Sequence, residues 1–170
     1  CDEVNLSNCT KITDLDLKHL RHCSSVNVTN CSITDEGLYH LRHCKSVCLT
    51  GSKITKHGIK HLKKCKYIDL SDCSRIHNST LKYLSKCNEV HLSKCNKISD
   101  EGLYHLRYCE VVGLDDIKKI TDLGICHLVC CKKLHITYFC NKPKITSDSI
   151  KYLMNNHNLK YVKCPKLGYE

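Results

Sequence analysis

"EVHLSKCNKISDEGLYHLRYC", residues 89–109, carries two hydrophobic periods in one short segment. Val90 and Leu92 alternate with polar neighbours, the period of a strand with one buried face. Leu103, Leu106 and Cys109 then recur at steps of three, which puts them on one stripe of a helix. Between the two, Ser99 and Asp100 follow Ile98. A hydroxyl that can accept a free amide hydrogen bond, then a carboxylate at the positive end of a helix dipole, marks a helix start. The segment therefore predicts strand, loop and helix in succession, none long enough to bury its apolar side alone.

The chain repeats this unit along its length. "DEGLYHLRHC" (35–44) returns as "DEGLYHLRYC" (100–109), with weaker copies "HGIKHLKKC" (57–65), "STLKYLSKC" (79–87) and "LGICHLVCC" (123–131). Cys23, Cys44, Cys65, Cys87, Cys109 and Cys131 close successive units of 21, 21, 22, 22 and 22 residues. Strand pairs follow each: Val26/Val28, Val47/Leu49, Ile68/Leu70, Val90/Leu92, Val112/Leu114 and Leu134/Ile136, with Val4/Leu6 before them and Leu159/Tyr161 after. Loop isoleucines recur at Ile12, Ile33, Ile54, Ile76, Ile98, Ile120 and Ile145, most followed by Thr or Ser and often Asp. His77-Asn78 replaces that pair in the fourth unit, whose helix start is expected to be the loosest. Stacked units of this kind share one continuous core. With one Phe, one Met and no Trp, that core is built mainly from Leu, Ile, Val and Cys, as identical small rungs require.

The period falls in the leucine-rich-repeat range. The units at 89–109 and at 2–23, "DEVNLSNCTKITDLDLKHLRHC", resemble the cysteine-containing leucine-rich repeats of F-box/LRR proteins. In that pattern a strand L-x-L-S-x-C leads into x-I-T-D-x-G-L-x-x-L-x-x-C. The units here are about four residues shorter than is typical for that subtype, and Cys is missing from the loop site at Gly51-Ser52, at Ile117 and in the irregular Phe139-Cys140 stretch. The resemblance implies an α/β leucine-rich-repeat solenoid, with short parallel strands on the concave face and short helices on the convex face. It also implies substrate recognition in a ubiquitin ligase of the Skp adaptor–cullin kind. No F-box lies in these residues, so an adaptor would be met through a missing N-terminal segment. The expected organisation is a single array over 1–170, about seven full repeats of 21–26 residues and a partial terminal strand, cut from a longer chain.

Sixteen Cys raise the question of disulfides or metal. Twelve recur at two fixed places per unit: the loop site (Cys9, Cys31, Cys73, Cys95, Cys164) and the helix end (Cys1, Cys23, Cys44, Cys65, Cys87, Cys109, Cys131). Equal positions need equal pockets, and a free Cys is a small core hydrophobe. Rungs about 5 Å apart would hold such thiols close enough to bridge. A ladder of this kind suits a compartment that keeps it reduced, so an intracellular, cytoplasmic or nuclear, setting is expected. No C-x-x-C pair occurs; Cys126/Cys130 could supply two ligands, but no second pair must meet them, and no metal or cofactor is expected. The column His19, His40, His61, Tyr83, His105, His127 and Tyr152 flanks the helix stripe and is expected to be half-buried and stacked. No acid–base–nucleophile set accompanies it, so the reading is not an enzyme. No apolar run approaches a membrane span.

The net charge of +10 is scattered through every repeat. Lys11, Lys53, Arg75, Lys97, Lys119 and Lys144 precede the loop Ile, and others, among them Arg42, Lys60, Lys63 and Lys64, lie on the outer helix faces. A nucleic-acid binder through this basic convex face is one alternative, disfavoured by the lack of aromatic interleaving and of any recognised motif. A structural subunit of a large assembly is another. The leading expectation is a protein partner on the concave face, where outward strand positions vary while core positions repeat. Tyr67, Asp69, His91, Asp115, Asp116, His135, Tyr138 and Lys160 are the candidate partner-binding residues. The stretch "TYFCNKPK" (137–144) lengthens the last loop and is expected to protrude as a contact loop.

Overall fold

The computed structural model describes residues 2–137, 145–156 and 159–168. Eight strands form one all-parallel sheet in chain order: β1 (Glu3–Asn5), β2 (Ser25–Asn27), β3 (Ser46–Cys48), β4 (Tyr67–Asp69), β5 (Glu89–His91), β6 (Val111–Gly113), β7 (Lys133–His135) and β8 (Tyr161–Lys163). The register joins equal repeat positions, as in Val47 beside Ile68 and Ile68 beside Val90. Parallel neighbours need a long crossover, and here the crossover is the return through the helix layer. Five short helices lie in that layer: α1 (Lys56–Ile59), α2 (Asn78–Leu81), α3 (Asp100–Leu103), α4 (Asp122–Ile125) and α5 (Ser147–Asn156). The first three of these run on into 3₁₀ turns, and the first two repeats carry only 3₁₀ helix, at Asp16–Leu20 and Gly37–Tyr39. A 3₁₀ turn rises about 2.0 Å per residue against about 1.5 Å for α, so it spans the return path with fewer residues, as a short repeat demands.

Between the layers the predicted Leu, Ile, Val and Cys columns are buried in one cluster. All fourteen described cysteines are free thiols. Several thiols donate to a carbonyl of the preceding repeat: Cys31 to Leu6 (3.0 Å), Cys44 to Cys23 (3.2 Å), Cys73 to Leu49 (3.2 Å), Cys87 to Cys65 (3.1 Å) and Cys95 to Leu70 (3.0 Å). A small apolar side chain with a weak donor thus fills the column and ties rung to rung. Cys9 departs from the expectation of a buried loop thiol. It is exposed, because β1 has a strand on one side only, and Val4, Leu6 and Ile12 are likewise only half-buried.

The Asp after each helix-start Thr does more than complement a helix dipole. Asp14 accepts from the amide and hydroxyl of Thr34, Asp35 from Thr55, Asp100 from Thr121 (2.7 and 2.6 Å) and Asp122 from Thr146 (2.8 and 2.8 Å), each one repeat further on. Asn78 plays the same part toward Ser99, so the fourth unit has a substitute for the carboxylate. Its own start at His77 is tied by the His77 amide donating to Thr80 Oγ1 at 3.4 Å. Burial would raise the Asp122 carboxyl, but hydrogen bonds from Ser149 and Thr146 outweigh it and hold the group below its ordinary value. The glycines at 37, 58, 102 and 124 belong to this ladder. A Cβ on Gly124 would stand 2.3 Å from Asp100 Oδ1, and one on Gly58 2.6 Å from Asp35 Oδ1. Where Lys56 replaces the Asp, the following repeat has Thr80 at the glycine position.

Each of β1 to β6 is followed by a residue in the left-handed region: Asn8, Asn30, Gly51, Asp72, Lys94 and Asp116. The bend aims its amide at the next rung, as in Lys94 N to Asp115 O at 2.8 Å.

Candidate functional site

The sheet surface turned away from the core is built from the first and third residues of each strand and the residue two beyond. Over the first three rungs these are small and polar, apart from Glu3 and Cys48. Asn5 and Asn27 use their carboxamide oxygens to accept the Ser7 and Thr29 amides at 3.0 Å, which fixes the turn and leaves little reach. From β4 onward the surface changes. Tyr67 and His91 meet at a tilt of 48° with 5.6 Å between ring centroids, His91 and His135 at 48° and 6.3 Å, and His135 and Tyr161 at 53° and 5.6 Å. Four rings from β4, β5, β7 and β8 thus form one continuous row.

The row skips β6, where the sequence has Gly113 between His91 and His135 in register. A Cβ there would stand 2.5 Å from His91 Nδ1, so the bare backbone lets the two imidazoles close over it. His91 Nε2 is anchored by Glu89 Oε1 at 2.8 Å. Burial lowers the proton affinity of His135, and the neighbouring His91 lowers it further, against the pull of Asp115. Burial pushes the Tyr67 hydroxyl up, with Cys48 and Asp69 adding to it, and this hydroxyl is hydrogen-bonded to the Cys48 thiol. Asp69 accepts the Ser71 amide at 2.8 Å, and Asp115 the amide and hydroxyl of Thr137 at 2.7 and 2.8 Å. Both carboxylates are held rigidly beside the rings. No Lys or Arg occupies these surface positions in the first six rungs, in a chain with 27 such residues.

Of the sequence-predicted set, Tyr67, Asp69, His91, Asp115 and His135 come together here. Asp116 lies one step past the cluster, in the turn, with φ +54° and its amide bonded to Thr137 O. Tyr138 and the rest of the loop at 138–144 fall outside the described residues. Lys160 is a correction. The expected last pair Leu159/Tyr161 is displaced by three residues: Val162 pairs with Leu134, Lys163 takes the place beside His135, and Lys160 precedes the strand. Leu159 is buried at the helix-end site that Cys holds elsewhere, and Cys164 fills a strand site rather than a loop site. Tyr161, missed for this reason, closes the ring row.

On the helix face, the two near-identical stretches build the same cluster twice. Tyr39 packs edge-on against His61 of the next repeat at 5.6 Å with Arg42 over its ring at 4.2 Å; Tyr104 meets His127 at 5.6 Å under Arg107 at 4.3 Å. The expected column is half-buried at His40, His61, Tyr83, His105 and His127, while His19 and Tyr152 near the ends are exposed. Among the described residues no group of three or more His, Cys, Asp or Glu side chains could hold a metal ion, and no helix is long and apolar enough to cross a membrane.

No protein-family model matches the chain, and no curated protein matches it in sequence. Solved structures do match. An internalin C2 from Listeria monocytogenes is similar over 96% of this chain and 80% of its own, with TM-score 0.72 and 18% identity. An internalin from the same organism (inlF) gives TM-score 0.64 at 21% identity over 86% of this chain and 42% of its own. A TLR13–ssRNA13 complex gives 0.50 at 16% over 85% and 28%. With the all-parallel sheet and its helix layer, these likenesses define the fold as an α/β leucine-rich-repeat solenoid.

Proposed function

We propose that the chain is a protein-interaction module that captures its partner on the C-terminal half of the concave sheet. The observation that carries this reading is the ring row Tyr67–His91–His135–Tyr161 closed over Gly113, flanked by Asp69 and Asp115. Tyr67, His91 and His135 are half-buried and Tyr161 is exposed, and aromatic groups held on a rigid sheet lose little freedom on binding and are favoured anchors at interfaces. Lys163, rather than Lys160, stands at the end of that surface, and Tyr138, outside the described residues, is kept as a further candidate contact.

The finer role follows from the F-box/LRR resemblance of the repeat: recognition of a substrate for a Skp adaptor–cullin ubiquitin ligase. Rows of unbridged thiols on neighbouring rungs support a reducing, intracellular setting for it. Affinity purification of the full-length protein from its native source tests this role. Copurification with a Skp-type adaptor and a cullin is expected. Recovery as a stoichiometric part of a large particle, without an adaptor, would replace it with a structural one.

A further inference from the structure

On the helix side, where the first repeats turn from helix back toward strand, the surface holds an open cavity of about 520 Å³. Arg42, Lys60, Lys63 and Lys64 supply its charge, and the rings of His43, His61 and Tyr83 line it beside them, with no carboxylate among the lining residues. It shares Arg42 and His43 with a neighbouring cavity of about 720 Å³ that adds Arg21, His22 and Lys45, where Asp2 is the one acid. On the other side it shares Lys63, Lys64 and Tyr83 with a third, of about 340 Å³, that reaches Lys82 and Lys86. The three make one basic trough across four successive repeats.

Among the residues lining the three cavities Asp2 is the one carboxylate. The ion pairs of His91 with Glu89 and of Lys132 with Glu110 lie outside the trough. Burial lowers the proton affinity of His61, and Lys60 and Arg42 lower it further, against the pull of Asp35. An extended anion relieves repulsion along the whole trough, whereas a single phosphate meets one repeat. The rings decide which polyanion. An acidic peptide needs only the ammonium groups, but unpaired bases stack on aromatic side chains while their phosphates follow a positive groove. Tyr83 lies at the junction of two cavities with the Lys82 ammonium 5.1 Å from its ring centroid, a stacking platform with a cation beside it. This supplies the aromatic interleaving that the linear sequence does not display.

We propose that this trough binds a single-stranded nucleic acid, with phosphates on Arg42, Lys60, Lys63 and Lys64 and an unpaired base on Tyr83. The site lies on the opposite layer from the ring row and stands or falls separately from it.

Fluorescence anisotropy of a labelled oligouridylate, titrated with the 170-residue chain at several salt concentrations, tests it. Affinity should fall with salt at a slope of about −0.7 per phosphate neutralised, near −3 for a footprint of about four phosphates. Lys63→Glu/Lys64→Glu should weaken binding about tenfold or more and flatten that slope. Lys97→Glu/Lys119→Glu, an equal charge change on exposed loop residues, should leave it within about twofold. Tyr83→Leu keeps apolar packing and should weaken binding severalfold with the slope unchanged. Circular dichroism of each variant separates lost binding from lost fold. Absence of binding at low salt, equal loss in both charge-reversed variants, or tighter binding of a duplex, of oligoglutamate or of phosphatidylserine vesicles would overturn the proposal.

Discussion

The imidazoles of His91 and His135 lie 6.3 Å apart between centroids although a whole strand separates theirs, because Gly113 on that strand presents no side chain to hold them apart. Gly113→Ala is predicted to push His91 off its Glu89 partner. Strand stability should change by less than about 1 kcal/mol, since alanine recovers part of the conformational entropy that glycine loses on folding. The site changes more than the fold does. In His91→Phe, which keeps a ring but removes its charge, His135 should titrate at higher pH than in the wild type while staying below an ordinary histidine, because burial is the larger cause of its shift. Proton-resolved titration of His135 by NMR checks this; an unchanged or lowered value would contradict the arrangement.

The inter-repeat ladder makes a coupling prediction. Asp100→Ala removes two hydrogen bonds to Thr121 and should destabilise by about 2 kcal/mol. Gly124→Ala should also destabilise, by about 1–3 kcal/mol, by driving a methyl into Asp100 Oδ1. With the carboxylate gone the shortest contact is relieved, although Asp100 Cα stays 3.0 Å from the methyl, so the double variant should lose less than the sum of the two single losses. Simple additivity in urea denaturation would show that Gly124 answers to something else.

Ser52 occupies the loop site that Cys31, Cys73 and Cys95 fill elsewhere, and its hydroxyl is buried with no hydrogen-bond partner among the described residues. Its counterparts Cys31, Cys73 and Cys95 all reach a carbonyl of the preceding repeat. The longer C–S bond extends that reach, and a thiol is less costly to bury. Ser52→Cys is therefore expected to stabilise the chain by about 1 kcal/mol, read as a higher urea midpoint with unchanged slope.

Burial pushes the Cys44 and Cys73 thiols up to about 11, and those of Cys65, Cys87, Cys95, Cys109 and Cys131 up to about 12, from an ordinary 9.0. Below pH 9 these groups are protonated folded or unfolded and contribute no pH dependence. Above it the unfolded chain releases protons first, so stability should fall steadily toward pH 11–12. The melting temperature between pH 8 and pH 11 measures this, and a flat profile would contradict buried thiols. In native protein, alkylation should reach exposed Cys9 well before the buried thiols Cys23, Cys44, Cys65, Cys87, Cys109 and Cys131.

The stacking was legible in residues 89–109 because every core position announced its period. The last rung misled because α5 runs for ten residues and Leu159, not Cys, holds the buried site before the strand, so the alternation at 159–161 imitates a strand whose register lies three residues further on. Tyr67, His91 and His135 could be placed on the open sheet face by alternation alone. Their union into a row could not, since it depends on the absence of a side chain at Gly113, seen only against its neighbours in register. The Asp–Thr bonds between repeats were hidden by a local capping explanation that fits the same residues. The spacing of Asp14, Asp35 and Asp100 from a glycine one repeat on, lost where Lys56 intervenes, is the signal that could have revealed them.

The most direct test of the account is quantitative affinity capture from cell extract with three forms of the chain: wild type, Asp69→Lys/His135→Ala on the sheet face, and Lys63→Glu/Lys64→Glu on the helix face. The wild type and the helix-face variant should retain the same protein partner, and the sheet-face variant, folded by circular dichroism, should lose it. Retention of that partner undiminished by the sheet-face variant would contradict the assignment of the ring row as the binding surface.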